Sequence, residues 1–184
     1  MRGCGKSYLG DMLLRDESRV FVYDTMGEYN NGVVFYSMQR LAEYWEHVKA
    51  KPFRIIYRPM DPAGEFPAIC ELVWLCGNVC FMVEEVHTFC QPHCIPSQFL
   101  AILTRGRHQR IKLLAVTQRP RGIDHTLTAM TKEAFIFQTR EPDDRKYLEN
   151  WLGNGIGEKF DTLQQFEYIH WQDDKPGIFE VGKA

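Results

Sequence analysis

Short apolar runs alternate along this chain with segments long enough to form a helix. The runs begin at Arg19, Phe53, Val79, Ile111 and Ala134, and they read RVFVY, FRIIY, VCFMV, IKLLAV and AFIFQ. Short runs rich in Val, Ile and Phe are typical of buried strands, and helical segments between them favour βαβ units. The sequence therefore predicts an α/β fold, with a mainly parallel sheet flanked by helices.

The intervening segments and the last part of the chain complete this prediction. Helices are expected over 8–15, 38–49, 65–75, 96–105 and 142–152. The final segment, FEYIHWQDDKPGIFEVG, has two β-rich pieces around a turn and predicts a C-terminal β-hairpin. With 184 residues, of which 45% are hydrophobic and 25% charged, residues 1–184 are expected to form one domain.

Composition narrows the class of protein. The net charge of −2 gives no bulk positive field that would draw the chain to nucleic acid or to an anionic membrane. Its apolar runs are too short to span a bilayer. The six cysteines lie mostly in apolar segments, a pattern typical of reduced thiols. A cytoplasmic protein is therefore expected.

A glycine-rich tripeptide lies near the start of the chain. Gly5-Lys6-Ser7 matches the last three positions of a phosphate-binding loop, G-x-x-x-x-G-K-[ST]. In such a loop the glycines let backbone N–H groups approach phosphates, the lysine neutralises the outer phosphates, and the hydroxyl binds Mg²⁺. The sequence therefore predicts nucleotide-binding residues at Gly3, Cys4, Gly5, Lys6, Ser7 and Tyr8; a flexible tail is the alternative.

One part of a phosphate-binding loop is missing from the sequence. An apolar strand normally precedes such a loop, and here the loop's first glycine would fall just before Met1. Losing a strand from the middle of a sheet would leave the neighbouring edges unpaired. We therefore expect Met1 to be an internal methionine of a longer natural protein, and the first strand to be absent from the given sequence.

Polar side chains follow two of the predicted strands directly. VCFMV ends in Glu84-Glu85, and IKLLAV ends in Thr117-Gln118. A carboxylate at a strand tip is where phosphoryl transfer needs one: Glu84 would support Mg²⁺, and Glu85 would polarise the attacking water. Gln118 would reach the same water and the γ-phosphate. The alternatives are a solvated acidic turn for the glutamates and an ordinary end of a strand for Gln118.

These elements together resemble the HerA/FtsK group of motor ATPases, within the additional-strand, catalytic-glutamate division of RecA-like P-loop NTPases. The likeness lies in the loop, in VEEVH, TRGRH and TQRP, and in VFVYDTMGEY, which is similar to the group's D-x-x-G-E-Y element at Asp24, Gly27, Glu28 and Tyr29. It covers nearly the whole chain and is strongest towards the small HerA-like ATPases of phages and prophages. The resemblance implies hydrolysis of ATP with Mg²⁺. Glu84 stands where aspartate is usual in the group.

The resemblance also implies a homo-oligomeric ring, usually a hexamer, with ATP bound between subunits. Each subunit would then offer an arginine to the γ-phosphate of its neighbour. Arg105 and Arg107 of TRGRH are the candidates, with Arg140 as a third.

A long stretch without acidic residues indicates a negatively charged partner. The stretch from Val86 to Ile123 lacks Asp and Glu but carries Arg105, Arg107, Arg110, Lys112, Arg119 and Arg121. In a chain of net charge −2, such a stretch is either solvated or in contact with polyphosphate or a nucleic-acid backbone. DNA is therefore an expected partner.

Cysteine and histidine cluster after the second glutamate, which raises the alternative of a structural zinc site. The cluster consists of His87, Cys90, His93 and Cys94, and Cys76 or Cys80 could contribute. There is no C-x-x-C pair, and Cys80 lies within a predicted strand. Buried thiols near the nucleotide site are therefore the favoured interpretation.

Four functions remain open. The first is a ring-forming ATPase that drives DNA translocation or packaging. The second is an assembly ATPase similar to the zonula-occludens-toxin proteins of filamentous phage, with phage or membrane protein partners. A small-molecule nucleotide kinase would need an arginine-rich lid, and the Glu-Glu and Gln pattern suits hydrolysis by water better. A nonhydrolysing ATP-binding scaffold is the fourth.

Overall fold

The structure is a computed structural model that describes residues 4–153 and 155–184. Its helices are α1 Lys6–Leu14, α2 Met38–Val48, α3 Pro62–Cys76, α4 Ser97–Arg105, α5 His125–Met130, α6 Pro142–Leu152 and α7 Ile156–Phe160. Its strands are β1 Arg19–Tyr23, β2 Val33–Phe35, β3 Phe53–Tyr57, β4 Val79–Val83, β5 Ile111–Ala115, β6 Glu133–Phe137, β7 Glu167–Gln172 and β8 Glu180–Lys183.

Five strands form a parallel central sheet in the order β2-β3-β1-β4-β5. The strands β1 and β4 lie side by side with Phe21 opposite Phe81, and β5 pairs with β4 on the other side. Because all five strands are parallel, their carboxyl ends share one edge of the sheet. The mainly parallel sheet that the sequence predicts is thereby confirmed.

Alternation along β1 and β4 divides the core between the two faces of the sheet. Phe21 and Phe81 point into a cluster that includes the helices α2, α3 and α4, where Phe66 stacks on Phe89 with ring centroids 4.4 Å apart. Val22 and Met82 point to the opposite face, which Leu14 of α1 covers. Strands buried on both faces read as continuous apolar runs, which is why these segments were recognisable in the sequence.

The remaining strands form a second, antiparallel sheet in the order β6-β7-β8. The strands β7 and β8 make the predicted C-terminal hairpin, with Ile169 opposite Val181. Ile136 and Ile169 pack against residues of α6 and α7 to form a separate small core. The helices therefore flank both sheets.

Several elements differ from the sequence prediction. The helix expected from residue 65 begins at Pro62, because Asp61 caps it by accepting a hydrogen bond from the Gly64 N–H at 3.1 Å. The strand β2 and the helices α5 and α7 were not predicted, and each has six residues or fewer. Elements this short carry too little periodicity to be read from sequence.

Two further observations bear on the expected class of protein. No disulfide joins any two of the six cysteines, all of which lie within the described ranges. None of the helices described has the length and apolar character required to cross a membrane.

Candidate functional site

A small cleft of about 270 Å³ lies where the start of α1 meets the carboxyl edge of the central sheet. It brings together most of the predicted site residues, which come from the loop and from the tips of β4 and β5. Its lining includes Cys4, Gly5, Lys6, Ser7, Tyr8, Met26, Glu28, Glu84, Glu85, Val116, Gln118 and Phe166. Gly3 lies outside the described residues.

The loop reaches the cleft through a conformation that requires glycine. Gly5 has φ 100°, in the left-handed region, and its carbonyl accepts the N–H of Leu9 at 2.9 Å as α1 begins. A Cβ at Gly5 would lie 3.1 Å from Cβ of Ala184 and 3.3 Å from Cδ1 of Phe166. Lys6 is the first residue of α1, and its Nζ donates to Sγ of Cys4 at 3.2 Å. A helix N-terminus next to a lysine suits an anionic ligand.

The D-x-x-G-E-Y segment forms a turn around one buried carboxylate. Asp24, at the end of β1, is 1% exposed and accepts backbone N–H groups of Glu28 at 3.0 Å and Tyr29 at 3.3 Å. Arg58, which follows β3, donates its Nε to Asp24 at 2.9 Å and its Nη2 to the Tyr29 carbonyl at 2.6 Å. Gly27 has φ 73° within the turn. The turn therefore fixes Glu28 at the cleft, where its carboxylate accepts a hydrogen bond from the Ser7 hydroxyl.

Glu84, at the tip of β4, is the carboxylate that this environment leaves uncompensated. Its side chain is buried, and Oε2 has no hydrogen-bond partner among the described residues. Burial, followed by the nearby charges of Glu28, Asp24 and Glu85, raises the pKa of Glu84 to about 8. The same burial raises the pKa of the neighbouring Tyr29, and Glu84 raises it further. A positive ligand at this position would restore the charged form of Glu84.

Glu85 is joined to the tip of β5. The Gln118 side chain donates its Nε2 to Oε1 of Glu85, and Nδ1 of His87 lies 3.2 Å from Oε2 of Glu85. The same His87 nitrogen lies 3.1 Å from Oγ1 of Thr117. Glu85 itself has φ 47°, an uncommon conformation for a residue other than glycine. The carboxylate and the amide predicted to act on water therefore lie side by side.

The chemistry of the cleft fits a nucleotide with a divalent cation. The described residues contain no group of three or more His, Cys, Asp or Glu side chains placed to hold a metal ion by themselves. Mg²⁺ at nucleotide sites needs only one or two protein oxygens, because phosphates and water supply the rest. Glu84 with its unpaired oxygen and the Ser7 hydroxyl are suitable donors. A cation would also offset repulsion between phosphates and the carboxylates of the cleft.

The predicted arginines lie away from this cleft. Arg105 ends α4 and places its guanidinium carbon 5.5 Å from the ring centroid of Trp74. Arg107 is exposed in the following turn, and Arg140 is exposed beyond β6. Lys6 is the one basic side chain among the described residues that line the cleft. No arginine of the described residues lines the cleft.

Half of the basic stretch is already paired inside the chain. Lys112 contacts Glu17 at 2.8 Å, Arg119 contacts Asp144 at 3.2 Å, and Arg121 contacts Asp143. In the part of the chain that the structure describes, no carboxylate lies within ion-pair distance of Arg105, Arg107 or Arg110. The exposed basic segment without carboxylate partners among the described residues is therefore 105–110. It is much shorter than the acid-free stretch in the sequence.

The residues of the zinc alternative point in different directions. His87 faces Glu85 and Thr117, whereas Cys90 is buried, with its pKa raised to about 11 by burial. The backbone N–H of His93 donates to Asp124 at 2.9 Å, and Cys94 is exposed. They do not assemble into a ligand set within the described residues.

Sequence reasoning gave no role to Arg58, which supports the site, or to Phe166, which lines it. Arg58 was not recognised because the charge that it neutralises, Asp24, is distant in sequence and adjacent only through the pairing of β1 with β3. Phe166 lines the cleft from the segment before β7, and no motif marks it. The Glu28 position was noted as part of the D-x-x-G-E-Y element, but its contact with Ser7 emerges only from the fold.

Known structures share this architecture. The genome packaging NTPase B204 from Sulfolobus turreted icosahedral virus 2, in complex with AMPPCP, superposes with a TM-score of 0.79 at 18% identity, covering 99% of this chain and 93% of that one. The DNA-packaging ATPase B204 from Sulfolobus turreted icosahedral virus gives 0.77 at 18% identity, with the same coverage. The N-terminal domain of zonular occludens toxin from Neisseria meningitidis gives 0.55 at 13% identity, covering 100% of this chain and 89% of that one.

Sequence comparison adds no family assignment. No model of a known protein family matches the chain, and neither does any curated protein. At 18% identity or less, the structural likeness establishes the fold alone. The chain therefore has the α/β fold of these NTPases, and its activity must be argued from the cleft.

The raised pKa of Glu84 predicts how stability depends on pH. Because its pKa of about 8 in the folded protein lies above the ordinary 4.5, the folded protein retains a proton that the unfolded chain has lost between these values. Stability should therefore fall as the pH rises from 4.5 to 8 and level off above 8. The contribution of Glu84 to this slope is at most about 1.4 kcal/mol per pH unit.

Urea unfolding of the wild type and of Glu84→Gln across this pH range measures that contribution. The variant should have a flatter profile than the wild type, and the exposed control Glu71→Gln should keep the wild-type slope. Identical profiles for Glu84→Gln and the wild type would show that Glu84 is not the group responsible.

Proposed function

We propose that this protein hydrolyses ATP in the cleft between α1 and the tips of β4 and β5. The observation that carries the proposal is the contact between Glu85 and Gln118, within a cleft that also holds Lys6 and Ser7 at the start of a helix. This arrangement places phosphate-binding groups beside a carboxylate and an amide that can orient water. The HerA/FtsK-like resemblance of the motifs supports the same activity.

Each residue has a distinct role in this proposal. Lys6 and the N–H groups at the start of α1 hold the phosphates of ATP. Mg²⁺, when bound by Ser7 and Glu84 together with the phosphates, would supply positive charge for the developing transition state. Glu85 accepts a proton from the attacking water, and Gln118 holds that carboxylate in position. Nδ1 of His87 lies 3.2 Å from Oε2 of Glu85 on the other side.

Substitution of Glu85 tests the hydrolytic step. Glu85→Gln preserves the volume of the side chain but removes the base, so turnover should fall by about 10²–10⁴-fold while ATP still binds. The measurement is phosphate release at saturating ATP with Mg²⁺, together with binding of a nonhydrolysable analogue. Glu71→Gln, an exposed change outside the cleft, is the matched control. Wild-type turnover in Glu85→Gln would refute the assigned role.

The cleft also motivates a proposal about assembly. Phosphoryl transfer often uses an arginine to stabilise the γ-phosphate, and the described lining of the cleft offers only Lys6 as a cation. We infer that a neighbouring subunit of a ring, for which a hexamer is favoured, supplies Arg105 or Arg107. Both are exposed and free of carboxylate partners within the described ranges, as a residue that reaches into another subunit must be.

Mixed rings test the arginine directly. Arg107→Ala subunits and Glu85→Gln subunits should each be inactive, and mixing them should restore part of the activity at interfaces that combine an intact Glu85 with an intact Arg107. An arginine supplied in this way contributes about 10³-fold or more to turnover. The same mixture is made with Arg105→Ala.

The control replaces the Glu85→Gln subunit by a double variant that carries both changes, because no interface then combines both intact groups. Recovery must be absent from this mixture. No recovery in either test mixture, or full activity in a monomer proven by sedimentation, contradicts the proposal.

For the partner we propose DNA, moved during translocation or packaging. The two viral proteins with similar folds are described as a genome packaging NTPase and a DNA-packaging ATPase. In this chain the unpaired basic segment 105–110 offers a short contact surface for a phosphate backbone, consistent with a contact confined to the channel of a ring. The assembly-ATPase alternative has weaker support, because the zonular occludens toxin domain has a TM-score of 0.55 against 0.79 for the packaging NTPase.

The salt dependence of binding tests whether the assembled protein contacts the DNA backbone. Binding of the assembled protein to DNA should weaken steeply with salt and vary little with base composition, because the contacts are to phosphates. Arg110→Gln should lower the slope of log K against log salt by about 0.9. Lys112→Gln, in which the lost charge was already paired with Glu17, should leave the slope nearly unchanged. ATPase rates and binding that do not respond to any DNA at low salt would favour the assembly-ATPase alternative.

A further inference from the structure

Three exposed apolar residues lie at the rim of the cleft between α1 and the tips of β4 and β5. Tyr8, Met26 and Phe166 line the cleft, and they are 59%, 39% and 42% exposed. Single exposed apolar residues are ordinary on a protein surface. A group of them beside a polar cleft is typical of a surface that a ligand covers. We call these three residues the apolar rim.

The apolar rim is assembled from separate parts of the chain. Tyr8 is the third residue of α1, Met26 lies in the turn after β1, and Phe166 precedes β7. The ring of Phe166 reaches the phosphate-binding loop, because a Cβ at Gly5 would lie 3.3 Å from its Cδ1. The fold therefore places an aromatic ring directly beside the loop.

The backbone of Phe166 is held in an uncommon conformation. Its φ is 69°, in the left-handed region, which a bulky residue seldom adopts. The Phe166 carbonyl accepts the N–H of Ala184 at 2.8 Å, and the N–H of Glu167 donates to the Gln164 carbonyl at 3.1 Å. Both hydrogen bonds hold the segment in place. Strained residues of this kind cluster at ligand sites, where the surrounding structure maintains them.

The cleft itself is too small to enclose a nucleoside triphosphate. Its volume of about 270 Å³ is below the roughly 300–1,000 Å³ typical of pockets that bury a small ligand. Two of its polar contacts are internal, since Ser7 donates to Glu28 and Gln118 donates to Glu85. Phosphates held at Lys6 would therefore leave the nucleoside outside the polar part of the cleft, where the apolar rim lies.

We propose that the apolar rim binds the base of the nucleotide by stacking, and that the cleft accepts purine nucleoside triphosphates without distinguishing adenine from guanine. This inference rests on the proposed function, because the phosphates must lie at Lys6 for the base to reach the rim. Aromatic side chains stack on any base, whereas distinguishing one base from another requires hydrogen bonds to its edge. Within the rim, the Tyr8 hydroxyl is the one side-chain group that forms strong hydrogen bonds.

Equilibrium binding of two ligands tests the apolar rim without requiring hydrolysis. One ligand is the β,γ-imido analogue of ATP, and the other is inorganic tripolyphosphate, which carries the phosphates but no base. Tyr8→Ala and Phe166→Ala should each weaken binding of the ATP analogue by about fivefold or more, the loss expected for one stacking contact. Neither change should alter the affinity for tripolyphosphate. Both affinities are measured by titration calorimetry with Mg²⁺.

Two further variants serve as controls. Met12 is 40% exposed on α1, about one turn beyond Tyr8, and does not line the cleft. Met12→Ala should therefore leave both affinities unchanged. Tyr8→Phe keeps the ring and should bind the ATP analogue as the wild type does, which separates stacking from a hydrogen bond of the hydroxyl. Because Tyr8 and Phe166 lie in different elements, misfolding of one alanine variant leaves the other as a test.

The same titration with the imido analogues of GTP and UTP tests the selectivity for the base. The adenine and guanine analogues should bind with similar affinity. The uracil analogue should bind more weakly, because a single ring has less area to stack. A preference of about 100-fold or more for one purine over the other would indicate hydrogen bonds to the base edge and would overturn the proposal.

Two other results contradict the apolar rim as a base site. Equal losses for the ATP analogue and for tripolyphosphate in both alanine variants would place Tyr8 and Phe166 at the phosphates. Unchanged affinity for the ATP analogue in both variants would exclude a contact with the base. If self-association in sedimentation weakened at the same time, a second copy of the chain would be the occupant of the rim. Failure of the proposed function is distinct: the wild type would then bind both ligands but release no phosphate from ATP, and the stacking test would stand.

Discussion

The carboxyl ends of β1 and β4 place two buried carboxylates side by side, and the described chain neutralises only one of them. Asp24 receives Arg58 and two backbone N–H groups, so its charge is satisfied and its turn is rigid. Glu84 has an oxygen without a partner among the described residues and a pKa raised to about 8. Burying a charge without a counter-charge is unfavourable. A cation bound beside Glu84 would therefore stabilise the ionised carboxylate. The first carboxylate holds the fold of the site and the second remains available to a ligand.

Much of this site could be predicted because of a general property of parallel sheets. Glu84, Glu85 and Gln118 follow two apolar runs directly, and the carboxyl ends of neighbouring parallel strands meet at one edge. The contacts that could not be predicted are those between distant segments. The pairing of Lys112 with Glu17, and of Arg119 with Asp144, removes charge from a stretch that looks uniformly basic in the sequence. Only the fold shows which basic residues remain exposed.

His87 illustrates the limit of reading a cluster by composition. In the sequence it stands beside Cys90, His93 and Cys94, which suggests a shared ligand. In the structure Glu85 adopts φ 47°, and the short 3-10 turn after it directs His87 to Thr117 while Cys90 enters the core. Residues that lie close in sequence thus lie in different environments, because a tight turn at the end of a strand changes the direction of successive side chains.

The functional cleft shares part of its wall with a groove of about 1300 Å³ beside β5. Lys6, Val116 and Gln118 line both. With β5 paired on one side only, the tip that carries Gln118 is restrained by β4 and by its contact with Glu85. Groups that act on one phosphate must be held within a fraction of an ångström, and hydrogen bonds between supporting side chains are one way to achieve this. The contact between Gln118 and Glu85 therefore restrains the end of β5 and orients the two groups proposed to act on water through the same hydrogen bond.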